Sequence, residues 1–290
     1  MTQSDQIGAR RKVPAVKATR TGPSSVRTRH GVNVFCRSWG DGRAVVFLHS
    51  WALSGQMWTY QMAHLAALGV QCVAFDRRGH GRSDQPSDGY DMDTMADDLA
   101  DVIDAFDLQD VVLVGHSMGG GEILRYVGRH GTSKVSKIVL LAPATPFLLQ
   151  TADNPNGLPD AALAQVRAEW ASDFPKWIED NKLPFFLSQT SPQMMDWLVR
   201  DMQQTPVPVA IACNKALAET DLRPDLPKVD RPTLVIQGDN DASVPLEITG
   251  RPTAAGIKGA ILKVYPGAPH GLFLTHMERV NQDIATFIQP

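Results

Sequence analysis

A serine hydroxyl in a tight turn is the first group in this chain that could do chemistry. Ser117 lies in the pentapeptide Gly115-His-Ser-Met-Gly119, which follows the apolar run 111–114 and precedes a helical pattern. A serine in such a strand-to-helix turn stands clear of the sheet, and the flanking glycines avoid a clash across the turn. The first amides of the helix would point at negative charge that develops on a substrate. The pattern predicts a nucleophile for acyl transfer, with a non-catalytic glycine-rich turn as the alternative.

A serine hydroxyl becomes a good nucleophile only when a base takes its proton and an acceptor orients that base. His270 lies in the turn Gly267-Ala-Pro-His-Gly271 after the last strand-like run, and we predict that it is the base. Two carboxylates, Asp239 and Asp241, follow the preceding run. We predict Asp241 as the acid, because it lies three residues beyond the glycine of that turn. Asp239 is then a turn or capping residue, and it remains the alternative acid.

The tetrahedral intermediate of acyl transfer needs backbone amides that donate to its oxyanion. The amide of Met118 directly follows the nucleophile, and the amide of Trp51 lies in the loop after the apolar run 44–48. We predict that these two amides are the oxyanion donors. His49 is predicted to brace that loop, and His116 to be structural. The sequence contains no spacing typical of a metal site, and we predict no metal and no cofactor.

The elements that must position these groups alternate along the chain. Seven runs have the length and composition of strands, at residues 31–39, 44–48, 70–75, 111–114, 138–142, 233–237 and 260–264. The first alternates and ends at the turn Gly40-Asp41-Gly42, which predicts an early strand paired in a hairpin. The run 44–48 is continuously apolar, as in a parallel sheet covered on both faces. Helical periodicity lies between the strand-like runs, at 55–69, 94–108 and 274–288. The alternation predicts an α/β fold with a doubly wound, mostly parallel sheet.

The alternation stops between residues 144 and 226, where helical patterns occur at 160–180, 191–204 and 207–219. We expect this segment to form a helical cap over the carboxyl ends of the strands, where the site of an α/β protein lies. The predicted organisation is a flexible tail at 1–22, a core at 23–143 and 227–290, and the cap at 144–226.

The predicted cap has many aromatic side chains for a solvated lid. They are Phe147, Trp170, Phe174, Trp177, Phe185, Phe186 and Trp197. We expect more than half of them to pack the cap onto the core. The predicted substrate-binding residues are Trp51, Phe147, Trp177 and Phe186, in an apolar pocket above Ser117. Uncharged substrates with small to medium acyl groups would then be preferred.

The composition excludes several classes of partner. A net charge of −3 over 290 residues gives no indication of a nucleic-acid partner. No apolar run is long enough to span a membrane. The three cysteines are too widely spaced for a disulfide framework or a metal site. Arg10 and Arg11 are typical of some export signals, but no apolar segment follows them. We therefore expect a cytoplasmic protein whose partner is a small-molecule ester or acyl substrate, with homo-oligomerisation left open.

Together these motifs resemble the α/β-hydrolase superfamily and, more narrowly, the cofactor-free bacterial haloperoxidases and perhydrolases, which are also serine esterases. The resemblance covers residues 25–290 and rests on the segments 75–83, 113–120, 153–157 and 267–271. It implies an eight-stranded sheet with a helical cap insertion. It also implies Ser117 as nucleophile, His270 as base, Asp241 as acid, and Trp51 and Met118 as oxyanion donors.

One loop departs from the family pattern. Residues 49–52 read His-Ser-Trp-Ala, where the family has His-Gly-aromatic-Pro. Ala52 in place of proline is expected to leave the loop without its usual constraint, which favours ester hydrolysis over peroxide chemistry. The segment 180–220 also resembles the family less than the rest, so the substrate does not carry over.

Three functions compete. The first is a serine hydrolase for carboxylic esters or lactones, and the second is a perhydrolase with haloperoxidase activity. The third is a non-catalytic binding protein, which the complete set of catalytic residue types disfavours. A dehalogenase or epoxide hydrolase is excluded, because those relatives attack with an aspartate where this chain has Ser117.

Overall fold

The computed structural model describes residues 22–289, and the strands within that range form one eight-stranded sheet. The strands are β1 Ser25–Arg27, β2 Asn33–Trp39, β3 Arg43–Leu48, β4 Val70–Phe75, β5 Val111–His116, β6 Val135–Leu141, β7 Thr233–Gly238 and β8 Ile261–Tyr265. Their order is β1-β2-β4-β3-β5-β6-β7-β8, and the six strands from β4 to β8 are parallel. The predicted fold class, a mostly parallel and doubly wound α/β sheet, is confirmed.

Helices connect the parallel strands and fill the segment between β6 and β7. The α-helices of the described residues are α1 Thr59–Ala67, α2 Met92–Ala105, α3 Met118–His130, α4 Asp160–Asn181, α5 Pro192–Gln203, α6 Val207–Glu219, α7 Gly250–Gly256, α8 Leu272–Thr275 and α9 Met277–Ile288. A short 3₁₀ turn, Gly55–Trp58, precedes α1. The predicted helices match these bounds closely, except that the last one is divided at His276.

The hairpin at the start of the sheet is not at the turn after β2. β2 pairs antiparallel with β1 and with β4, so that β4 lies between β2 and β3. The alternating burial of β2 suits a place near the edge of the sheet. β3 is buried along nearly its whole length, and a strand without a polar face belongs in the centre. The chain therefore crosses from β2 to the middle of the sheet instead of folding back on it.

Apolar layers cover both faces of the sheet. Leu99 of α2 and Ile123 of α3 are fully buried on one face, and Met62 of α1 and Val280 of α9 on the other. Each such side chain stabilises the fold by roughly 1.5–3 kcal/mol relative to an exposed one. The sheet is thus packed on both faces, and the loops at its carboxyl edge extend from a buried core.

The three thiols of the chain, Cys36, Cys72 and Cys213, are free and buried. Burial raises the pKa of Cys36 and of Cys213 to about 12. Burial raises the pKa of Cys72 as well. A raised pKa keeps a thiol protonated at neutral pH, and a protonated thiol is a poor nucleophile. The three cysteines are therefore poor candidates for a nucleophile.

The segment 144–226, here called the insertion, contains α4, α5 and α6 between β6 and β7. α4 is bent at Asp173, two residues before Pro175, which lacks the amide hydrogen that a straight helix needs. The predicted tail at 1–22 lies outside the described residues except for Gly22. Across residues 22–289 we find no helix with the length and apolar character needed to cross a membrane.

Candidate active site

Ser117 is the single residue between β5 and α3, and its backbone is strained. Its φ is +54° and its ψ is −115°, a combination that costs a non-glycine residue about 1–3 kcal/mol. Backbone bonds hold it there, because its amide donates to the carbonyl of Leu141 (3.0 Å) and its carbonyl accepts from Gly120 (3.0 Å). A Cβ on Gly115 would lie 2.6 Å from the backbone of Gly119. The turn therefore needs its glycines, as the sequence pattern predicts.

His270 and Asp241 meet at the same edge of the sheet. Asp241 follows β7 and His270 follows β8, and His270 Nδ1 lies 2.8 Å from Asp241 Oδ2 with both side chains buried. The other oxygen, Oδ1, accepts from the amides of Ser243 (3.0 Å) and Val244 (2.9 Å). A carboxylate can only accept, so Nδ1 carries the hydrogen. Nε2 of His270 is left with a lone pair that can take a proton.

Asp239 occupies a different position from Asp241. Its side chain is exposed, and its Oδ1 accepts from the amide of Gly267 (2.6 Å) in the loop that carries His270. Asp239 thus links the loops after β7 and β8 without contacting the imidazole. The structure places Asp241, and not Asp239, against His270.

His116 joins the turn of Ser117 to the loop of His270. Its Nε2 lies 2.9 Å from the carbonyl oxygen of His270, and the two rings are 4.7 Å apart. Burial lowers the pKa of His116 well below its usual range, so the ring is neutral. Because a carbonyl only accepts, the ring nitrogen at this contact is the protonated one. The contact fixes the spacing of the two loops.

Phe185 of the insertion contacts His270 and the residue after it. Its ring lies edge-on to the ring of His270 at 5.3 Å, and its carbonyl accepts from the amide of Gly271 (3.0 Å). Phe185 is one of the aromatic residues of the predicted cap, but the sequence does not predict its contact with His270. A contact between residues so far apart in the chain leaves no local pattern.

The loop after β3 is constrained, which corrects the expectation drawn from the missing proline. Ala52 has a φ of +56°, a value that proline cannot adopt. Thr205 Oγ1 donates to the carbonyl of Ala52 (3.0 Å), and Asp201 Oδ2 accepts from the amide of Ser54 (2.9 Å). Burial raises the pKa of Asp201, while its bonds with Ser54 oppose that rise. Residues of the insertion thus replace the constraint that a proline ring would supply.

The side chain of Trp51 packs against the insertion. Its Nε1 donates to the carbonyl of Ala210 (2.8 Å), and its ring lies 4.4 Å from Trp170 and 6.3 Å from Trp177. Its backbone amide stays in the loop at the carboxyl end of β3. Two of the predicted substrate-binding residues, Trp51 and Trp177, therefore share one aromatic cluster.

The other two predicted substrate-binding residues lie elsewhere. Phe186 is buried next to Phe185, on the side of His270. Phe147 is buried beneath Arg223, whose guanidinium carbon lies 4.9 Å from the centre of the Phe147 ring. Four of the seven aromatics of the insertion are buried, namely Phe147, Trp170, Phe174 and Phe186. An apolar pocket above Ser117 stays a prediction.

All these groups come from the carboxyl ends of parallel strands, which is where loops of an α/β sheet converge. Ser117 follows β5, Asp241 follows β7, His270 follows β8 and Trp51 follows β3. The amide of Met118 opens α3, so it has no partner within the helix. In the part of the chain that the structure describes, no three side chains of the metal-binding types are close enough to share an ion. The arrangement can orient a base and present a hydroxyl beside free amide donors.

The fold and these residues define the class of protein. The family model described as "alpha/beta hydrolase fold" matches residues 43–277. The chain therefore belongs to the α/β-hydrolase family.

Relatives narrow the comparison within that family. A non-heme chloroperoxidase from Kitasatospora aureofaciens is 40% identical over 269 residues, which cover 90% of this chain and 98% of that protein. A bifunctional esterase/perhydrolase from Acinetobacter calcoaceticus is 36% identical over 273 residues, covering 91% and 99%. The solved structure of an esterase from Exiguobacterium antarcticum is 30% identical, with a TM-score of 0.89 and coverage of 92% and 99%. The predicted resemblance to esterases and non-heme haloperoxidases is confirmed.

Proposed function

We propose that this protein is a serine hydrolase that cleaves carboxylic esters or lactones through an acyl-enzyme. Ser117 is the nucleophile, His270 the base and Asp241 the acid. The observation that carries the proposal is the buried 2.8 Å contact between His270 Nδ1 and Asp241 Oδ2. His116, the residue before Ser117, ties this pair to the strained turn through its contact with the carbonyl of His270. The contact with Asp241 leaves Nε2 of His270 as the proton acceptor that a serine nucleophile requires.

The reaction follows from these positions. Nε2 of His270 takes the proton of Ser117 Oγ while Oγ attacks the ester carbonyl, and the amides of Met118 and Trp51 donate to the resulting oxyanion. His270 then gives the proton to the leaving alcohol, and the acyl group remains on Ser117. Water attacks the acyl-enzyme with the same base, which returns the enzyme and releases the acid. Asp241 stabilises the imidazolium in both halves.

We further propose that the insertion acts as a cap and selects the substrate. Its aromatic side chains surround Trp51, whose amide is one of the oxyanion donors. Apolar walls favour neutral groups, because burying a charge without a partner is costly. Esters or lactones with small to medium uncharged acyl groups are therefore the proposed substrates.

A panel of chromogenic esters tests this function. p-Nitrophenyl esters of increasing acyl length, run beside a hemisuccinate matched in size to a neutral member, are expected to show faster turnover of the neutral esters. S117A serves as the control and should hydrolyse none of them above background. Faster turnover of the anionic ester than of its neutral match would contradict an apolar acyl site.

A second candidate function is a cofactor-free perhydrolase, which the names of the chloroperoxidase and esterase/perhydrolase relatives favour. In this reaction a carboxylic acid acylates Ser117 with loss of water, and hydrogen peroxide replaces water in attacking the acyl-enzyme. The released peracid then oxidises halide in solution and returns to the carboxylate. Residues 49–52, after β3, are here called the oxyanion loop. Ala52, with its left-handed backbone, gives this loop a shape that a proline at this position cannot share. We expect efficient ester hydrolysis and weak bromination.

A bromination assay separates the two candidates. With monochlorodimedone, bromide and hydrogen peroxide, we expect slow bromination that requires added acetate and that vanishes in S117A. Peroxide would be activated by His270 in the same way as water. Bromination without any carboxylate, or in S117A, would mean that the oxidant forms at another site.

A further inference from the structure

The guanidinium of Arg77, in the loop after β4, is buried beneath the oxyanion loop. Its side chain is 1% exposed, and its Nη2 donates to the carbonyl of His49 (2.7 Å). Nη1 reaches the carbonyl of Ser50 at 3.4 Å. Nε donates to Glu122 Oε1 (2.7 Å), and Nη2 also pairs with that oxygen. One cation thus contacts two successive carbonyls of the oxyanion loop and a carboxylate of α3.

The imidazole of His49 also contacts the carbonyl of Ser50. The backbone amide of Arg77 donates to His49 Nε2 (2.9 Å), so Nε2 is the unprotonated nitrogen. Nδ1 then carries the hydrogen and donates to the carbonyl of Ser50 (2.8 Å). Burial and the charge of Arg77 lower the pKa of His49, which keeps the ring in this neutral form. The Ser50 carbonyl therefore accepts from both the His49 ring and the Arg77 side chain.

That carbonyl belongs to the peptide group whose N–H is the amide of Trp51. Because a peptide is planar and trans, fixing the direction of the C=O also fixes the direction of the N–H. Hydrogen bonds to the carbonyl also polarise the N–H and make it a stronger donor. Whatever holds the Ser50 carbonyl thus sets the position and strength of one proposed oxyanion donor.

Glu122 connects this arrangement to the second donor. It lies one turn into α3, the helix that begins with the amide of Met118, and its side chain is 1% exposed. Burial raises the pKa of Glu122, and the guanidinium of Arg77 opposes that rise. The ion pair therefore joins the helix of one donor to the loop of the other.

We propose that Arg77, anchored by Glu122, is a positioning residue that aligns the Ser50–Trp51 peptide as an oxyanion donor. The inference rests on the proposed function and adds a residue that contacts neither substrate nor nucleophile. Its loss should weaken the binding of the tetrahedral intermediate while leaving the binding of the ground-state ester nearly unchanged.

The test compares two buried ion pairs. The variant R77M/E122L removes both charges of the proposed pair, and such paired replacement by apolar residues is often tolerated. The control R78M/D98L removes the adjacent pair, in which Arg78 Nε lies 2.6 Å from Asp98 Oδ2 and both side chains are 2% exposed. Arg78 binds α2 through Asp98, and not the oxyanion loop. kcat and KM for p-nitrophenyl butyrate, Ki for butylboronic acid and thermal unfolding are measured for both.

For R77M/E122L we expect kcat to fall about tenfold to a hundredfold, less than the loss of a whole oxyanion donor. Ki for the boronic acid, which forms a tetrahedral adduct on the nucleophile, should rise by a similar factor, with KM changed less than about threefold. The control should keep kcat and Ki within about threefold of the wild type. A folded R77M/E122L whose kcat and Ki equal those of the control would overturn the proposal.

A second variant covers the case in which the double substitution does not fold. R77K keeps a cation beside Glu122 but lacks the fork that reaches two carbonyls at once. It should show a partial loss of kcat and of boronic acid affinity, and wild-type values for both would overturn the proposal. Failure of the proposed function is distinguishable, because S117A would then retain activity whatever happens at Arg77.

Discussion

Replacement of Ser117 by alanine is expected to lower kcat for a neutral ester by a factor on the order of 10⁴ to 10⁶. The change removes the atom that forms the acyl-enzyme, so only background catalysis by the amides remains. Folding should be preserved, because the bonds described for Ser117 are made by its backbone. Alanine also tolerates the left-handed backbone of this chain at Ala52 and Ala142. H270A is expected to lose a similar factor, since nucleophile and base act as a unit.

The measurement is kcat for p-nitrophenyl butyrate, with circular dichroism and thermal unfolding to verify the fold. S136A is the matched control, because Ser136 lies in β6 and its hydroxyl donates to the carbonyl of Asp110 (2.6 Å). It should turn over the ester like the wild type. A folded S117A or H270A with wild-type turnover would remove the serine mechanism.

The second large effect is expected at the acid. D241N should lower kcat by a factor on the order of 10⁴, because an amide in place of the carboxylate can hold the imidazole in the wrong tautomer. D239N is the matched control and should stay within about threefold, because an amide oxygen can still accept the hydrogen bond of a neighbouring amide. In the structure that neighbour is the amide of Gly267, and His270 lies against Asp241 instead.

Both variants are measured with the same ester and checked for folding. The comparison is sharp because the two substitutions change the same chemical group two residues apart. If D239N were the more damaged enzyme, the acid would be Asp239 and the loop after β7 would have to rearrange during catalysis.

Much of the fold could be predicted from the sequence because its strands and helices have strong periodicities. The central strands are buried on both faces and read as continuous apolar runs, and α4 to α6 lie within a residue or two of their predicted bounds. β1 has only three residues, and α7 has seven, with a proline and glycines at both ends. Such short elements carry too little pattern to be predicted. The position of the hairpin depended on which strand pairs with which, and that is a property of the whole sheet.

The candidate site likewise contains residues that the local sequence predicts and residues that it does not. Ser117, Asp241 and His270 each stand in a turn whose local sequence marks it, and the structure brings the last two into contact. The contacts of Asp201 and Thr205 with the loop after β3 join residues about 150 positions apart, and no local pattern announces them. Glu122 had a weak signal, since it is a charged residue in a stretch of glycine and apolar residues.

The claim that Ser117 forms a covalent intermediate is tested most directly by labelling with a fluorophosphonate and mapping the modified peptide by mass spectrometry. The reagent traps serine nucleophiles that have an activating base. We expect an adduct on the peptide that contains Ser117, no adduct in S117A, and much slower labelling in H270A. An adduct on another residue, or labelling of S117A at the wild-type rate, would contradict it.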